Sequence, residues 1–422
     1  MGGISKIGML LLIMFREAYG GIKLHFPMFF LLNSIYNQPI LNLHLWCLFV
    51  VFLGSYCMLF YLAILIFAFA VSFFAIKGLK PLAVKIGLTD KPSARKNHRG
   101  EVPLVGGISV YLGLFCAVII LVIFKPLDIN LLIYLFASLL MVITGALDDR
   151  FDLSVKIRIL AQVIIASIMV FAAGRVLVNL GNLFSFGDIY LGYFAFPFTV
   201  IAVLGAINAY NMIDGIDGLI GGVSFATFTP LAIVFYMAGD IRGAFYCLLC
   251  MTLLGPYLLY NLQLTRFSNH KVFMGDAGSM VIGLTVIWLL AIGSQEDSLG
   301  NASYFSPVAA LWFIGLPLMD MVAIVMRRIK KGRSPFSADK DHLHHIFLRA
   351  GFSSNQTLIF ITCIALMLSM VGVFTTVYSV PDWMQLVAFI TVFIAYRYSL
   401  SHVWILLRAF RKIVKLKRLA LQ

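Results

Sequence analysis

Long apolar runs separated by short polar breaks repeat along nearly the whole chain. A membrane-spanning helix needs about 20 mostly apolar residues. Eleven stretches meet that length and composition, near 46–75, 105–124, 130–147, 159–177, 193–210, 219–238, 243–260, 279–294, 304–326, 356–379 and 382–400. The pattern predicts an all-α polytopic membrane protein of about eleven transmembrane helices. No internal repeat, low-complexity tract or Gly/Ser linker sets off a second domain. Residues 46–400 therefore read as one integral membrane domain, preceded by an atypical extension, 1–45, and followed by a basic tail, 401–422. The run MGGISKIGMLLLIMF in the extension lacks a small-residue cleavage site, which argues against a signal peptide. It reads instead as an extra amphipathic or spanning segment, or as the product of an upstream start with Met58 as an internal alternative.

Composition agrees with this class. Of 422 residues, 61% are hydrophobic and 12% charged, whereas soluble domains carry about 25% charged residues. The six cysteines, Cys47, Cys57, Cys116, Cys247, Cys250 and Cys363, lie in apolar runs, where a thiol packs as a small hydrophobe. Lys and Arg (32) outnumber Asp and Glu (18), giving a net charge of +14. No nucleic-acid-binding module accompanies that excess, and its distribution gives it another meaning. The loop after the first span carries seven basic residues, Lys77, Lys80, Lys85, Lys91, Arg95, Lys96 and Arg99, and every second loop after it is again basic or polar. The alternate loops hold only Lys125, Arg175 and Arg242. Lys/Arg bias in short loops marks the cytoplasmic side, so the basic loops and the C-terminal tail are expected inside.

Four polar constellations fall on that inner side: DDRFD with Asp148 and Asp149, NAYNMIDGIDGL from Asn208 to Leu219, KVFMGDAGS around Asp276, and DHLHH with His342, His344 and His345. Carboxylates crowded at a membrane surface repel one another unless a cation sits among them. Asp oxygens with an Asn carbonyl suit a hard cation such as Mg²⁺, which keeps waters and takes phosphate oxygens. Asn211, Asp214 and Asp217 follow one another at three-residue spacing, which places them on one helical face. Their glycines remove side chains between the acids. A polar helix cap would need only one such residue. Asp148 and Asp149 emerge where an apolar run ends, with Lys156 and Arg158 close behind, an arrangement suited to a phosphorylated lipid. Gly275 and Gly278 allow close backbone approach beside Asp276, as phosphate-cradling turns require. Phe273 reads either as a base-stacking ring or as an interfacial anchor. The histidines are too close together for a helical zinc motif; with the arginines and lysines around them they suit phosphate binding. Asp320 lies inside the ninth predicted span and reads as a functional acid or an internal hydrogen-bonding residue. A cation-coupled transporter is the rival class, but its site would lie near the midplane at a repeat interface, and these acids gather at one face.

Together the segments TDKPSARKNHRGEVPLVGGISVY, GALDDRFDLSVKIR, INAYNMIDGIDGL, KVFMGDAGS, PLMDMVAIVMRR and SPFSADKDHLHHIFLRAGF resemble the polyprenyl-phosphate N-acetylhexosamine-1-phosphate transferases, over about residue 60 to the C-terminus. The resemblance is to the bacterial branch that starts O-antigen and enterobacterial common-antigen synthesis; the usual HIHH stands here as HLHH. It implies transfer of GlcNAc-1-phosphate from UDP-GlcNAc to undecaprenyl phosphate in the bacterial inner membrane, with UMP released. It also implies Mg²⁺ (with Mn²⁺ as an alternative) on Asp276 and the Asn211 carbonyl. By the same resemblance, Asp148, Asp149 and Lys156 receive the lipid phosphate, and Asp214 and Asp217 face the uridine and metal region. Phe273 stacks on uracil, and His342, His344 and His345 bind phosphates or sugar. Membrane lipid is the implied surrounding, a homodimer is compatible with the pattern, and no nucleic acid is implied.

Overall fold

The computed structural model describes residues 41–90, 100–125, 127–264, 271–296, 302–335 and 342–402, with side chains from Met58 onward, Ser401 excepted. The extension up to residue 40, the tail beyond 402 and the basic residues from Lys91 to Arg99 lie outside them. Apart from one small ribbon the described chain is helical. Helix α1 (Leu41–Ile86) runs eleven residues past the predicted end of the first span, so Lys77, Lys80 and Lys85 stand on a helix rather than in a loop. β1 (Thr89–Asp90) and β2 (Val102–Pro103) then pair antiparallel, Thr89 opposite Pro103. There follow α2 (Gly106–Phe124), α3 (Ile129–Phe151), α4 (Val155–Ser167, continued by a π-helical turn to Ala172), α5 (Ala195–Ile213), α6 (Leu219–Met237) and α7 (Ile241–Asn261). The chain ends in α8 (Gly275–Ser294), the short α9 (Ala309–Phe313), α10 (Gly315–Lys330), the short α11 (Leu343–Arg349), α12 (Ser354–Val377) and α13 (Asp382–Ser401).

α8 is the centre of the bundle. Its sequence has no polar face, and a helix apolar all round must be buried all round; from Ala277 to Ala291 every residue is buried. Backbones approach it through glycines. A Cβ on Gly107 of α2 would lie 2.1 Å from the Gly278 nitrogen, and one on Gly145 of α3 would lie 2.4 Å from the Ala277 nitrogen. A Cβ on Gly283 itself would lie 2.6 Å from Ile207 Cα of α5. Without a hydrophobic force between helices in lipid, such close approach of small residues is what holds them together.

Ten helices among the described residues are long and apolar enough to cross a membrane. The predicted span 304–326 is not one of them, because it breaks at Ile314 between α9 and α10. Pro317 causes the break: it offers no N–H to the carbonyl four residues before it and its ring crowds that carbonyl. The freed Phe313 carbonyl accepts hydrogen bonds instead from Ser369 Oγ (2.8 Å) and Thr227 Oγ1 (3.1 Å). The broken segment still traverses the bundle. It starts where Tyr304 N and Phe305 N bond to the Gly293 carbonyl at the far end of α8, and it leads to the histidine segment at the near end.

Asn208 belongs to this scaffold. Its Nδ2 donates to Gln162 Oε1 on α4 and to the Leu204 carbonyl, both at 2.8 Å, so it ties two helices together rather than facing the acids after it. Gly107→Ala should lower the thermal unfolding midpoint of the detergent-purified protein strongly, by several kcal/mol in stability, because backbone rather than a flexible side chain must yield. Gly78→Ala, with nothing within 4 Å of its Cβ, should be nearly neutral.

Candidate active site

The site begins with two unsatisfied N–H groups. The first turn of a helix has no internal partners for its donors, and Met274, the residue before α8, supplies no side-chain cap. The cap comes from another helix: Asp149, near the end of α3, accepts from Asp276 N at 2.9 Å and Ala277 N at 3.3 Å. Gly275 makes this contact possible twice over. Its φ of +73° is left-handed, and a Cβ there would lie 2.4 Å from Asp149 Oδ2. The chain entering α8 is fixed as well, with Phe273 N bonded to the Pro103 carbonyl, Gly106 N to that of Phe273 and Gly107 N to that of Met274.

Around this cap the carboxylates form a chain. Asp148 is buried and accepts from Leu153 N (2.9 Å) and Arg158 Nη1 (2.8 Å). The same guanidinium nitrogen lies 4.0 Å from Asp276 Oδ2. Asp276 Oδ1 accepts from Asn211 Nδ2 at 2.8 Å, and that amide also donates to Ser279 Oγ at 3.0 Å. Asp214 ends α5 and is half-buried; burial first, then the charges of Asp149 and Asp217, push its carboxyl up to about 7. Asp217 is ion-paired with Lys271, whose Nζ also stands 4.9 Å from the centre of the Phe273 ring. Asn261 fastens this loop to the segment before α8, accepting from Gly218 N and donating to the Val272 carbonyl.

The histidines close one side. His344 is buried, and its ring lies directly on Gly215, where a Cβ would be 2.1 Å from Nε2. Its Nδ1 is buried without a hydrogen-bond partner. Burial, then the neighbouring His345 and His342, lower its basicity to a pKa of about 3 despite the opposing charge of Asp320. It is therefore a neutral hydrogen-bonding ring at physiological pH. The His342 ring lies nearly parallel to it, centroids 5.6 Å apart, and His345 lies 4.2 Å away on the other side.

Among the described residues no three His, Cys, Asp or Glu side chains gather into a ready-made metal cage. The oxygens present still suit one cation type. Asp276 with an amide carbonyl at Asn211 is a sparse, hard donor set, and Mg²⁺ characteristically takes one or two carboxylates and completes its shell with water and phosphate.

Residues 131–294 match the model of glycosyl transferase family 4. A Yersinia pestis protein described as undecaprenyl-phosphate alpha-N-acetylglucosaminyl 1-phosphate transferase is 43% identical over 356 residues, which is 84% of this chain and 94% of that protein. Proteins of the same description from Escherichia coli (strain K12) and Haemophilus influenzae are 42% and 40% identical, covering 83% and 81% of this chain and 93% and 94% of the relatives. The chain belongs to the polyprenyl-phosphate N-acetylhexosamine-1-phosphate transferase family.

In this family member the expected residues are brought together with one exception. Asp148, Asp149, Asn211, Asp214, Asp217, Phe273, Asp276 and the three histidines share one end of the bundle. Lys156 is exposed on the first turn of α4, and no described residue bonds to its side chain. Arg158 reaches the acids in its place. Two residues apart on a helix point to different faces, so spacing could not choose between the two cations. Asn261 lies in no motif read from the sequence, and Lys271 opens KVFMGDAGS without any sign there of its pairing with Asp217; only the fold reveals their part.

Asp214 gives this transferase a pH signature. The carboxyl keeps its proton up to about pH 7 in the folded protein and loses it near pH 4 in the unfolded chain. Its contribution to stability is thus full below pH 4 and is lost as the pH rises through 7. Asp214→Asn should raise the thermal midpoint over wild type by a few degrees at pH 8, with the gap closing towards pH 4. A pH-independent gap would contradict this assignment.

Proposed function

We propose that the protein transfers GlcNAc-1-phosphate from UDP-GlcNAc to undecaprenyl phosphate at the cytoplasmic face of a bacterial inner membrane. The product would be undecaprenyl-pyrophosphoryl-GlcNAc, a starting lipid for O-antigen or common-antigen assembly. One observation carries the reading: the chain of carboxylates from Asp148 through Asp276 to Asp214 meets the Arg158 guanidinium and lies beside a histidine cluster. So acidic a site repels phosphates by itself and becomes a phosphate site only with a divalent cation. The relatives' names supply the acceptor lipid and the GlcNAc donor.

Asp276 and the Asn211 carbonyl would hold Mg²⁺ or Mn²⁺, which when bound would offset the negative charge of the pyrophosphate. The protein's own groups do the rest. A phosphate monoester has its second pKa near 6, so the lipid phosphate arrives largely as a dianion and needs little proton abstraction. One of its oxygens attacks the β-phosphorus of UDP-GlcNAc. The bond from that phosphorus to the oxygen bridging the two phosphates breaks, and its electron pair leaves with UMP. Arg158, placed between Asp148 and Asp276, offsets the charge of the incoming lipid phosphate. Asp149 accepts from two N–H groups at the α8 N-terminus, and its part is to fix Asp276. Asp217 orients Lys271 beside Phe273, forming a cationic and aromatic wall for the nucleotide.

Purified protein with undecaprenyl phosphate, Mg²⁺ and a panel of UDP-sugars should give lipid-linked product from UDP-GlcNAc. No product from any UDP-N-acetylhexosamine would refute the proposal. Arg158→Gln should cost roughly 10²–10³ in kcat, as loss of one transition-state donor does, whereas Lys156→Gln should stay within about threefold. Rapid exchange of labelled UMP into UDP-GlcNAc without lipid would favour a two-step route through an aspartyl-phosphate over direct attack.

A further inference from the structure

Asp320 lies two turns inside α10 and is 1% exposed. A buried carboxylate is costly unless donors satisfy it, and three converge on this one from two segments. Tyr396 of α13 donates its hydroxyl to Oδ1 at 2.7 Å, and Leu343 N donates to Oδ1 at 3.3 Å. His342 Nδ1 lies 3.0 Å from Oδ2.

Two consequences follow from that geometry. Leu343 opens α11, a helix of seven residues whose N-cap, His342, makes no side-chain cap of its own. So short a helix is marginal alone; Asp320 supplies the missing acceptor from a neighbouring helix and anchors the histidine segment. The second consequence concerns the ring. A carboxylate oxygen accepts, so the contact assigns the ring proton to Nδ1 and leaves Nε2 as the nitrogen available to a ligand. A carboxylate behind an imidazole also stabilises the protonated ring and fixes its orientation, as in hydrolase triads. His342 is so backed; the Nδ1 of His344, stacked beside it, is buried with no hydrogen-bond partner among the described residues.

We propose that Asp320, held by Tyr396, is a positioning residue for His342: it accepts from Nδ1–H and aims Nε2–H of the same ring, protonated at both nitrogens, at the pyrophosphate of the UDP-sugar. The proposal rests on the transferase reading above and adds to it a residue outside the carboxylate site. It concerns the donor nucleotide alone, since Asp148 and Arg158 serve the lipid phosphate.

The test is a double-mutant cycle of wild type, Asp320→Asn, His342→Gln and the double variant, with kcat and KM measured for both substrates. Asn keeps an acceptor for Tyr396 and Leu343 but removes the negative charge behind Nδ1, so the ring loses the partner that holds it with both N–H groups in place. Asp320→Asn should lower kcat/KM for UDP-GlcNAc by about 10- to 100-fold, the usual range when the outer partner of a functional histidine is lost. KM for undecaprenyl phosphate should not change. In the His342→Gln background the same substitution should cost less than about twofold, because interacting residues are not additive. Wild-type kcat/KM in Asp320→Asn, or a full additional loss in the double variant, would overturn the proposal. Should Asp320→Asn fail to fold, Tyr396→Phe decides: a several-fold drop in donor kcat/KM supports it and an unchanged value overturns it. Absence of transfer by the wild-type protein would instead refute the parent reading.

Discussion

The Asp149 carboxylate at the N-terminus of α8 is the contact on which the site depends. It satisfies two N–H groups that a helix beginning inside a membrane protein cannot leave bare, and it requires Gly275 both for its backbone angle and for its missing Cβ. Because Asp276 is itself one of the donors, the bond sets where that side chain starts. Asp276 in turn meets Asn211 from α5 and Arg158 from α4. Three helices are thus registered around one helix end. The glycines of α2 and α3 that let their backbones touch α8 bring the cap within reach.

Polar groups elsewhere follow the same rule at several points in the apolar interior. The Phe313 carbonyl that Pro317 strands is met by two hydroxyls, Asn208 finds Gln162, and Asp320 collects three donors. The exceptions are informative. His344 Nδ1 is buried and unpartnered, and it lies against the loop that carries Asp214 and Asp217. Trp312 Nε1 and Thr357 Oγ1 are likewise buried without a hydrogen-bond partner among the described residues.

Much of this was legible in the chain. Hydropathy located the spans because a helix in lipid must carry about 20 apolar residues, and every motif named for the inner face lies at one end of the bundle. Spacing could not show how helices from distant parts of the sequence meet. It grouped Asn208 with Asn211 although they face different partners, and it offered Lys156 where the ion pair with Asp148 comes from Arg158. It treated 304–326 as one span because hydropathy does not register a proline break that other helices repair. Asp320 stood out as an acid in an apolar run, but its pairing with His342 and Tyr396 joins residues 22 and 76 positions apart.

In the proposed mechanism Asp149 holds the helix end that positions Asp276, rather than drawing a proton from the lipid phosphate. Calorimetric titration of UDP-GlcNAc into Asp149→Asn, with Mg²⁺ and without lipid, separates the two. A positioning role predicts donor binding weakened at least about tenfold, close to the loss in Asp276→Asn, since each mutation disturbs the same oxygens. Donor binding equal to wild type, with turnover abolished, would contradict the account.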